Sequence, residues 1–387
     1  MPNSAVRLST VVMAHPSRRA QAEQLCRRHP ELQIDIVYDP DPEDKGSTLR
    51  TAIRAWSQVR SGATHHLVLQ EDVQLCRDFR TIVLRALSMA PPGAVALFSN
   101  WTMATAQAVR LAAVAGASWT PVIDNWVPTQ ALVMAAAVAR GFGDFAASYP
   151  GSKPDNRAIA EYLAARGLTT HVAIPNMVQH RPTQSVLLND LLFGVRNATV
   201  FPDSAQIGPA FSERVVAPPA VAHLCLGDFT TLSNYERLGV GNEPPTMTPA
   251  HEVLMARGMR PSDLLAEFSR DRGRCPEDVV GGFSDSLLFQ FWITMYVQGI
   301  IAREITSRAD CDSFAAALDR SPWPRIALST FAASAFRKME PRQAIRRTAA
   351  RLSPFCVASM GSGFVAADRW PELGALGRPA MSTAAAT

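Results

Sequence analysis

Two adjacent acids, Glu71 and Asp72, end an apolar run in the segment HHLVLQEDV, residues 65–73. The apolar residues predict a buried strand, and the carboxyl ends of strands in α/β sheets are where such sheets bind ligands. Magnesium and manganese prefer carboxylate oxygens as ligands. The two acids therefore indicate a divalent metal site with Asp72 as its main ligand, and ordinary turn chemistry at a strand end is the alternative.

A histidine, His180, follows another predicted strand (168–175) in the segment IPNMVQHRP. An imidazole is a good ligand for manganese and a less natural one for magnesium. Because the chain would return here across the carboxyl edge of the sheet, His180 is a candidate metal ligand. The alternative is a loop histidine without a functional role.

Two further positions have side chains suited to a nucleotide. The turn MAHPSRR (13–19) follows the first predicted strand, and Arg18 offers a cationic fork for a diphosphate or a nucleobase. The turn lacks the glycines of a Rossmann fingerprint. Asp39 ends the second predicted strand, where an acid can accept hydrogen bonds from a base or a ribose. A solvated helix start and an Asp-Pro turn are the respective alternatives.

These residues need a sheet that brings the ends of several strands together. The apolar patterns of the first hundred residues predict four strands separated by three helices. The strands are expected at 8–14, 32–39, 65–70 and 93–100, and the helices at 15–30, 48–60 and 79–90. This order is typical of right-handed βαβ units. It predicts an α/β fold with a mostly parallel, Rossmann-like sheet flanked by helices. Further helices are expected over 129–142 and 152–167.

A change of pattern divides the chain. Prolines cluster between residues 205 and 240, and helical periodicity dominates from about residue 225 onward. We therefore predict one domain at 1–215, a mainly helical region at 216–375, and a disordered tail at 376–387. The apolar C-terminal helices predict either a core or the seam of a homodimer.

Composition limits the function classes. The chain has 387 residues, a formal net charge of +4 and 47% hydrophobic residues. This charge permits an anionic ligand but does not favour a nucleic-acid partner. The six cysteines form no CxxC pair, so a zinc site is not expected. We find neither a signal-peptide pattern nor an uninterrupted membrane-spanning segment, and we predict a soluble, cytoplasmic protein.

Taken together, these segments resemble the GT-A-fold glycosyltransferases, in particular the bacterial type whose metal motif reads Leu-Glu-Asp-Asp or Leu-Gln-Asp-Asp. The resemblance covers about residues 8–200 and depends on MAHPSRR, the strand ending at Asp39, a helix ending in AW, LQEDV and PNMVQH. It implies a UDP- or GDP-sugar donor and Mn²⁺ (or Mg²⁺) bridging the diphosphate. It also implies hexosyltransferase-like transfer to a peptide, a glycan or a small-molecule acceptor. In such a transferase, 1–215 would be the catalytic domain and 216–375 an accessory or acceptor-binding region.

The resemblance assigns roles to single residues. The metal motif falls on Gln70, Glu71 and Asp72, and the distal metal-binding histidine falls on His180. Gln70 stands where the motif has its first acid, so the metal would depend mainly on Asp72, His180 and the diphosphate. The remaining nucleotide-binding candidates are His15, Arg18, Asp39 and Asn100.

The catalytic base is expected near a helix start beyond the metal strand, as in inverting members of the family. Asp155, in SKPDNRAIAEYL, is the first candidate, and Asp124, in VIDNWVPTQ, is the reserve. A helix N-terminus favours the ionised form that a base requires. The alternative for Asp155 is a helix cap.

Two other functions stay open at this point. A degenerate GT-A fold that binds a sugar nucleotide or a carbohydrate without catalysis would account for Gln70. A nucleotidyltransferase on a similar sheet would need a glycine-rich loop after the first strand, which HPSRR does not provide.

Overall fold

Apolar runs in the first half of the chain form strands that are buried on both faces. Six of the seven residues of Leu8–Ala14 and four of the six residues of His65–Gln70 are buried. Such strands are typical of sheets with helices on both sides. The computed structural model of the chain describes residues 5–44, 47–149, 154–181, 194–202, 211–226, 231–238, 245–307, 311–338 and 342–370.

The chain divides into two units. The first comprises Met1–Val109 and Ala117–Val215, and the second comprises Arg110–Gly116 and Val216–Thr387. The catalytic and acceptor-binding roles expected for 1–215 and 216–375 stay predictions. The tail expected to be disordered, 376–387, lies outside the described residues.

The first unit is built on a sheet of seven strands in the order β2-β1-β3-β7-β5-β8-β6. Their bounds are Leu8–Ala14 (β1), Asp35–Tyr38 (β2), His65–Gln70 (β3), Ala94–Ala96 (β5), Trp119–Pro121 (β6), Ala131–Ala135 (β7) and Thr170–Ala173 (β8). Five of the seven run in one direction, and β7 and β6 run in the opposite direction. A separate pair joins β4 (Val73–Leu75) to β9 (Val178–His180). The predicted α/β class with a mostly parallel sheet is confirmed.

Helices flank this sheet because each carries an apolar stripe. In α2, for example, Leu49, Ala52 and Trp56 recur at helical spacing and are all buried. The helices are Arg19–Arg28 (α1), Leu49–Ser57 (α2), Phe79–Ser88 (α3), Ala136–Arg140 (α5), Phe142–Ala146 (α6) and Asp155–Ala165 (α7). A further helix, Ala104–Val114 (α4), begins in the first unit and ends in the second.

The helix predicted over 129–142 is wrong in its first half. Ala131–Ala135 is the strand β7, which lies antiparallel between β3 and β5, and two short helices follow it. A central strand is covered on both faces, so its continuous apolar sequence, ALVMA, does not differ in periodicity from a buried helix. The edge strand β6 was not predicted either, because its three residues, WTP, are too few to show a periodic pattern.

The second unit contains the predicted helical C-terminal region. Its helices are Ala250–Ala256 (α8), Pro261–Arg274 (α9), Glu277–Val280 (α10), Asp285–Ile305 (α11), Phe314–Asp319 (α12), Trp323–Phe336 (α13) and Arg342–Arg369 (α14). An antiparallel sheet that was not predicted precedes them, with strands Ala220–Leu226 (β10), Thr231–Arg237 (β11) and Thr246–Pro249 (β12). Within the described part of the chain, no helix is both long enough and apolar enough to cross a bilayer.

Candidate active site

The site lies where the strands of the first unit end. Ala14 pairs with Tyr38, and Met13 pairs with Gln70, so β1, β2 and β3 reach their carboxyl ends together. The residues that follow these strands are therefore brought to one edge of the sheet. Strand β7 runs the other way and pairs Ala131 with Leu69, which brings the segment before β7 to the same edge.

The β4–β9 pair places His180 beside Asp72. Val73 lies opposite His180 in this antiparallel ladder, and the backbone N–H of Arg181 donates to the carbonyl of Asp72 at 2.7 Å. As a result, the imidazole Nε2 of His180 lies 3.3 Å from Oδ2 of Asp72. Both side chains are buried. These are the two residues that the sequence selects as metal ligands.

Arg18 joins the two acids from the end of the neighbouring parallel strand, β1. It ends a short helical turn, Pro16–Arg18, directly after β1. One guanidinium nitrogen, Nη1, donates to Oε1 of Glu71 at 2.8 Å and to Oδ2 of Asp72 at 2.9 Å. All three side chains are nearly buried, so the cation offsets charge that water cannot solvate.

This arrangement gives the adjacent acids different proton affinities. Burial raises the pKa of the Glu71 carboxyl, and the charge of Asp72 raises it further. Burial also acts upward on Asp72, but the hydrogen bond from His180 and the charges of His180 and Arg18 outweigh it and lower the pKa of Asp72 to about 2. Asp72 is therefore the carboxylate that stays ionised and available to a cation.

Asp155 is a second buried carboxyl group at this edge. It is the first residue of α7, and Pro154, not Asp155, occupies the capping position. The hydroxyl of Thr48 donates to Oδ1 of Asp155 at 2.6 Å. Burial raises the pKa of Asp155, and the hydroxyls of Thr48 and Thr129 offset this only in part. A carboxyl group with a raised pKa is suited to accept a proton near neutral pH.

Gln70 has a partner that accounts for an amide at this position. Its Nε2 donates to the hydroxyl oxygen of Thr129 at 3.2 Å. The Thr129 hydroxyl, with its oxygen engaged in this way, is one of the groups that stabilise ionised Asp155. An acid at position 70 would remove this donor and add a charge close to Glu71 and Asp72.

Asp39 is already engaged by an arginine. Arg50 donates from Nε to Oδ1 of Asp39 at 2.6 Å and from Nη2 to Oδ2 at 3.0 Å. Burial raises the pKa of Asp39, but the Arg50 hydrogen bond outweighs burial and lowers it. His15 also contacts this loop, with Nε2 at 3.2 Å from the carbonyl of Pro42. Asp39 thus shapes the wall of the site through the Arg50 ion pair.

These groups line one cleft of about 250 Å³. Eight of the sequence candidates are among its lining residues: His15, Arg18, Asp39, Gln70, Glu71, Asp72, Asp155 and His180. The structure adds several polar residues that the sequence did not single out, which are Thr48, Thr129, Gln130, Asn156 and Arg196. No local motif marks them, because they come from loops and from the start of a helix.

Two sequence candidates are not brought to this cleft. The Asn100 carboxamide oxygen accepts from the backbone N–H and the hydroxyl of Thr102, at 3.3 and 3.1 Å. Oδ2 of Asp124 accepts from the backbone N–H of Thr105 in the first turn of α4, at 3.1 Å. Both side chains hold local backbone, and neither residue lines the cleft.

The expected metal can be tested against the donor atoms. Two neighbouring ligands of an octahedral magnesium ion lie about 3 Å apart, because each bond is about 2.1 Å long. Oδ2 of Asp72 and Nε2 of His180, at 3.3 Å, match this spacing. Among the described residues, no group of three or more His, Cys, Asp or Glu side chains could hold a metal ion. A divalent ion at this position would therefore have Asp72 and His180 as its protein ligands and would need its remaining ligands from a bound molecule.

Comparison with known proteins adds no family. No protein-family model matches the chain, and the search of curated proteins finds no significant match. The geometry of the cleft is therefore the basis on which we infer a function. That geometry combines a carboxylate–imidazole pair, a buried guanidinium and a separate buried carboxyl group.

Proposed function

We propose that the first unit is a glycosyltransferase domain that transfers a sugar from a nucleoside-diphosphate sugar to an acceptor. One observation carries this proposal. Asp72, His180, Arg18 and Asp155 come from distant parts of the sequence and line the same cleft. The groups that would bind a metal ion and a diphosphate thus lie beside a carboxyl group that can accept a proton.

Each charged group has a role in this mechanism. Arg18 and, within the same cleft, Arg196 supply positive charge for the diphosphate. Asp72 and His180 would hold Mn²⁺ or Mg²⁺. Such an ion, when bound, neutralises negative charge on the leaving diphosphate. The ion pair of Arg18 with Glu71 and Asp72 keeps both acids at this position of the cleft.

Asp155 acts as the general base in the proposed transfer. The acceptor oxygen forms a bond to the anomeric carbon while its proton passes to the Asp155 carboxylate. The bond from the anomeric carbon to the diphosphate oxygen breaks, and the nucleoside diphosphate leaves with the electron pair. Transfer in one step inverts the configuration at the anomeric carbon.

A second function is favoured by one specific contact. Arg18 already bonds the oxygen of Asp72 that faces His180, and Gln70 replaces an acid of the metal motif. A domain that binds a sugar nucleotide or a carbohydrate without catalysis is compatible with this arrangement. Turnover distinguishes the two functions.

The test is turnover of a panel of UDP- and GDP-sugars, with Mn²⁺, with Mg²⁺ and with EDTA. We expect hydrolysis or transfer that requires the metal and that decreases at least about 100-fold in Asp72→Ala, because charge stabilisation at a transition state has this magnitude. Asp144→Ala is the matched control, since Asp144 is an exposed acid outside the cleft. Binding without turnover across the panel would support the second function.

A further inference from the structure

Three oxygen atoms in the cleft are buried and have no hydrogen-bond partner among the described residues. They are Oε1 of Gln130, Oδ2 of Asp155 and Oδ1 of Asn156. All three residues line the cleft, and Asp155 as a whole is 5% exposed. Buried acceptors without partners are unfavourable in a folded protein, and their presence requires an explanation.

The backbone holds these three residues close together. The backbone N–H of Val127 donates to the carbonyl of Asn156 at 3.3 Å, which ties the segment before β7 to the first turn of α7. The backbone N–H of Gln70 donates to the carbonyl of Gln130 at 3.0 Å. The three oxygens therefore belong to a fixed wall of the cleft.

The chemistry of this wall selects its ligand. Among the described residues, no hydroxyl donates to Oε1 of Gln130 or to Oδ1 of Asn156, and the Thr48 hydroxyl donates to the other oxygen of Asp155. A diphosphate has no donors at neutral pH and would be repelled by the carboxylate. A ligand with several neighbouring O–H donors can satisfy all three acceptors at once.

We propose that Gln130, Asp155 and Asn156 form a subsite for a sugar ring or a similar polyol, in which each side-chain oxygen accepts a hydrogen bond from a different hydroxyl. This inference rests on the proposed function and refines it. The ring is either the sugar of the donor or a carbohydrate acceptor. In the second case Asp155 contacts the hydroxyl that reacts, and Gln130 and Asn156 bind its neighbours.

The test uses Gln130→Met and Asn156→Leu, which remove the acceptor oxygen and nearly preserve volume. Binding of UDP, GDP, their sugar conjugates and free glucose, galactose, mannose and N-acetylglucosamine is measured by calorimetry, together with the Tm of the free protein. We expect unchanged affinity for UDP and GDP. We also expect about tenfold weaker binding of sugar-containing ligands, since one hydrogen bond contributes this factor.

The free protein gives a readout that a structural role would not. Removing an unsatisfied buried acceptor should leave Tm unchanged or raise it. Gln107→Leu is the matched control, because Oε1 of Gln107 is also buried without a partner, yet Gln107 lies outside the cleft. In Gln107→Leu, Tm should also stay unchanged or rise, and sugar binding should stay at the wild-type level.

The outcomes separate this inference from the proposed function. Weaker binding of the sugar conjugate without an acceptor assigns the ring to the donor, whereas an increase only in the acceptor KM assigns it to the acceptor. A wild type that turns over nucleotide sugars, with variants that bind nucleotide sugars equally well and keep the wild-type acceptor KM, overturns the subsite alone. Sugar binding that depends on Gln130 and Asn156 without any turnover would instead overturn the transferase. A wild type that binds no sugar in any form overturns the subsite.

Discussion

The surroundings of Asp155 decide whether its side chain caps a helix or acts as a base in the cleft. At the start of α7 it would ordinarily serve as a helix cap, but the capping position belongs to Pro154. Its side chain instead accepts from Thr48 and lines the cleft. Burial raises its pKa, so its carboxylate is a stronger base than an exposed aspartate.

The first prediction concerns the base. Asp155→Asn should keep nucleotide binding and lose transfer by about 100-fold to 10,000-fold, the range of general base catalysis. Because the base must be ionised, wild-type kcat/KM should fall as pH decreases through a pKa above that of an ordinary aspartate. Steady-state kinetics across pH measures both effects. Asp144→Asn is the control, and transfer retained by Asp155→Asn would remove Asp155 from the base role.

The second prediction concerns Gln70. Gln70→Glu would remove the donor to Thr129 and add negative charge near Asp155, so the pKa of Asp155 should increase further. The fall of kcat/KM on the acidic side of the pH profile (the acid limb) should move to higher pH. A ¹³C NMR titration of the Asp155 carboxyl should show the same shift. Gln70→Met removes the donor without adding charge and should move the limb less. Equal shifts in the two variants would contradict an electrostatic origin.

At the scale of secondary-structure elements, pairing between distant segments builds the site and close helix packing builds the second unit. The β4–β9 ladder joins Val73 to His180 and so completes the carboxylate–imidazole pair. In the second unit, α11 and α14 cross where Gly299 and Gly363 face each other's helix. A Cβ at Gly363 would lie 1.9 Å from the carbonyl oxygen of Tyr296, so only glycine permits this approach.

The third prediction follows from this helix crossing. Gly363→Ala should lower the free energy of unfolding of the second unit by about 1–3 kcal/mol, the usual cost of overpacking. Gly299→Ala should act similarly, because its Cβ would lie 2.0 Å from the carbonyl oxygen of Met360. Urea unfolding measures the change. Gly273→Ala in α9 is the control: nothing lies within 4 Å of its Cβ, so it should be neutral or slightly stabilising.

At the scale of the whole molecule, buried charges link stability to pH. The chain carries a formal net charge of +4 at pH 7, so general repulsion is small at neutral pH, and each buried group with a shifted pKa adds its own dependence of stability on pH. In the first unit, Asp72 has a lowered pKa, whereas Glu71 and Asp155 have raised values. Asp72 stabilises the folded state at neutral pH, and ionisation of the other two carboxyl groups opposes it.

The fourth prediction uses the sign of the Asp72 shift. Its pKa is about 2 when folded and about 3.9 when unfolded. Its stabilisation is therefore fully present above the unfolded value and is lost as pH falls from about 4 towards 2. Asp72→Asn should be less stable than the wild type at pH 6, and this difference should shrink across the acid range. Hydrogen exchange of the β1 and β3 amides reports on the first unit, and a difference independent of pH would contradict the assignment.

The local pattern of the sequence was sufficient to predict β1, β2 and β3 and the polar residues at their ends. The reason is physical: a buried strand ends where apolar residues give way to polar ones, and parallel strands present their ends at one edge. His15, Arg18, Asp39, Glu71 and Asp72 could therefore be selected as neighbours. Strand β7 could not be predicted from the local pattern, because a strand buried on both faces lacks the alternation that distinguishes it from a helix.

Tertiary structure alone decided which polar groups meet and in what charge state. Arg18 donates to both Glu71 and Asp72, and Arg50 donates to Asp39. The side chains of Asn100 and Asp124 instead form hydrogen bonds with nearby loop and helix residues. Each of these contacts depends on segments that are distant in the chain or on the exact course of a loop. The pKa of a buried carboxyl group likewise depends on how much water the whole fold excludes. Residue types and strand ends are local properties, whereas burial and contact are properties of the folded chain.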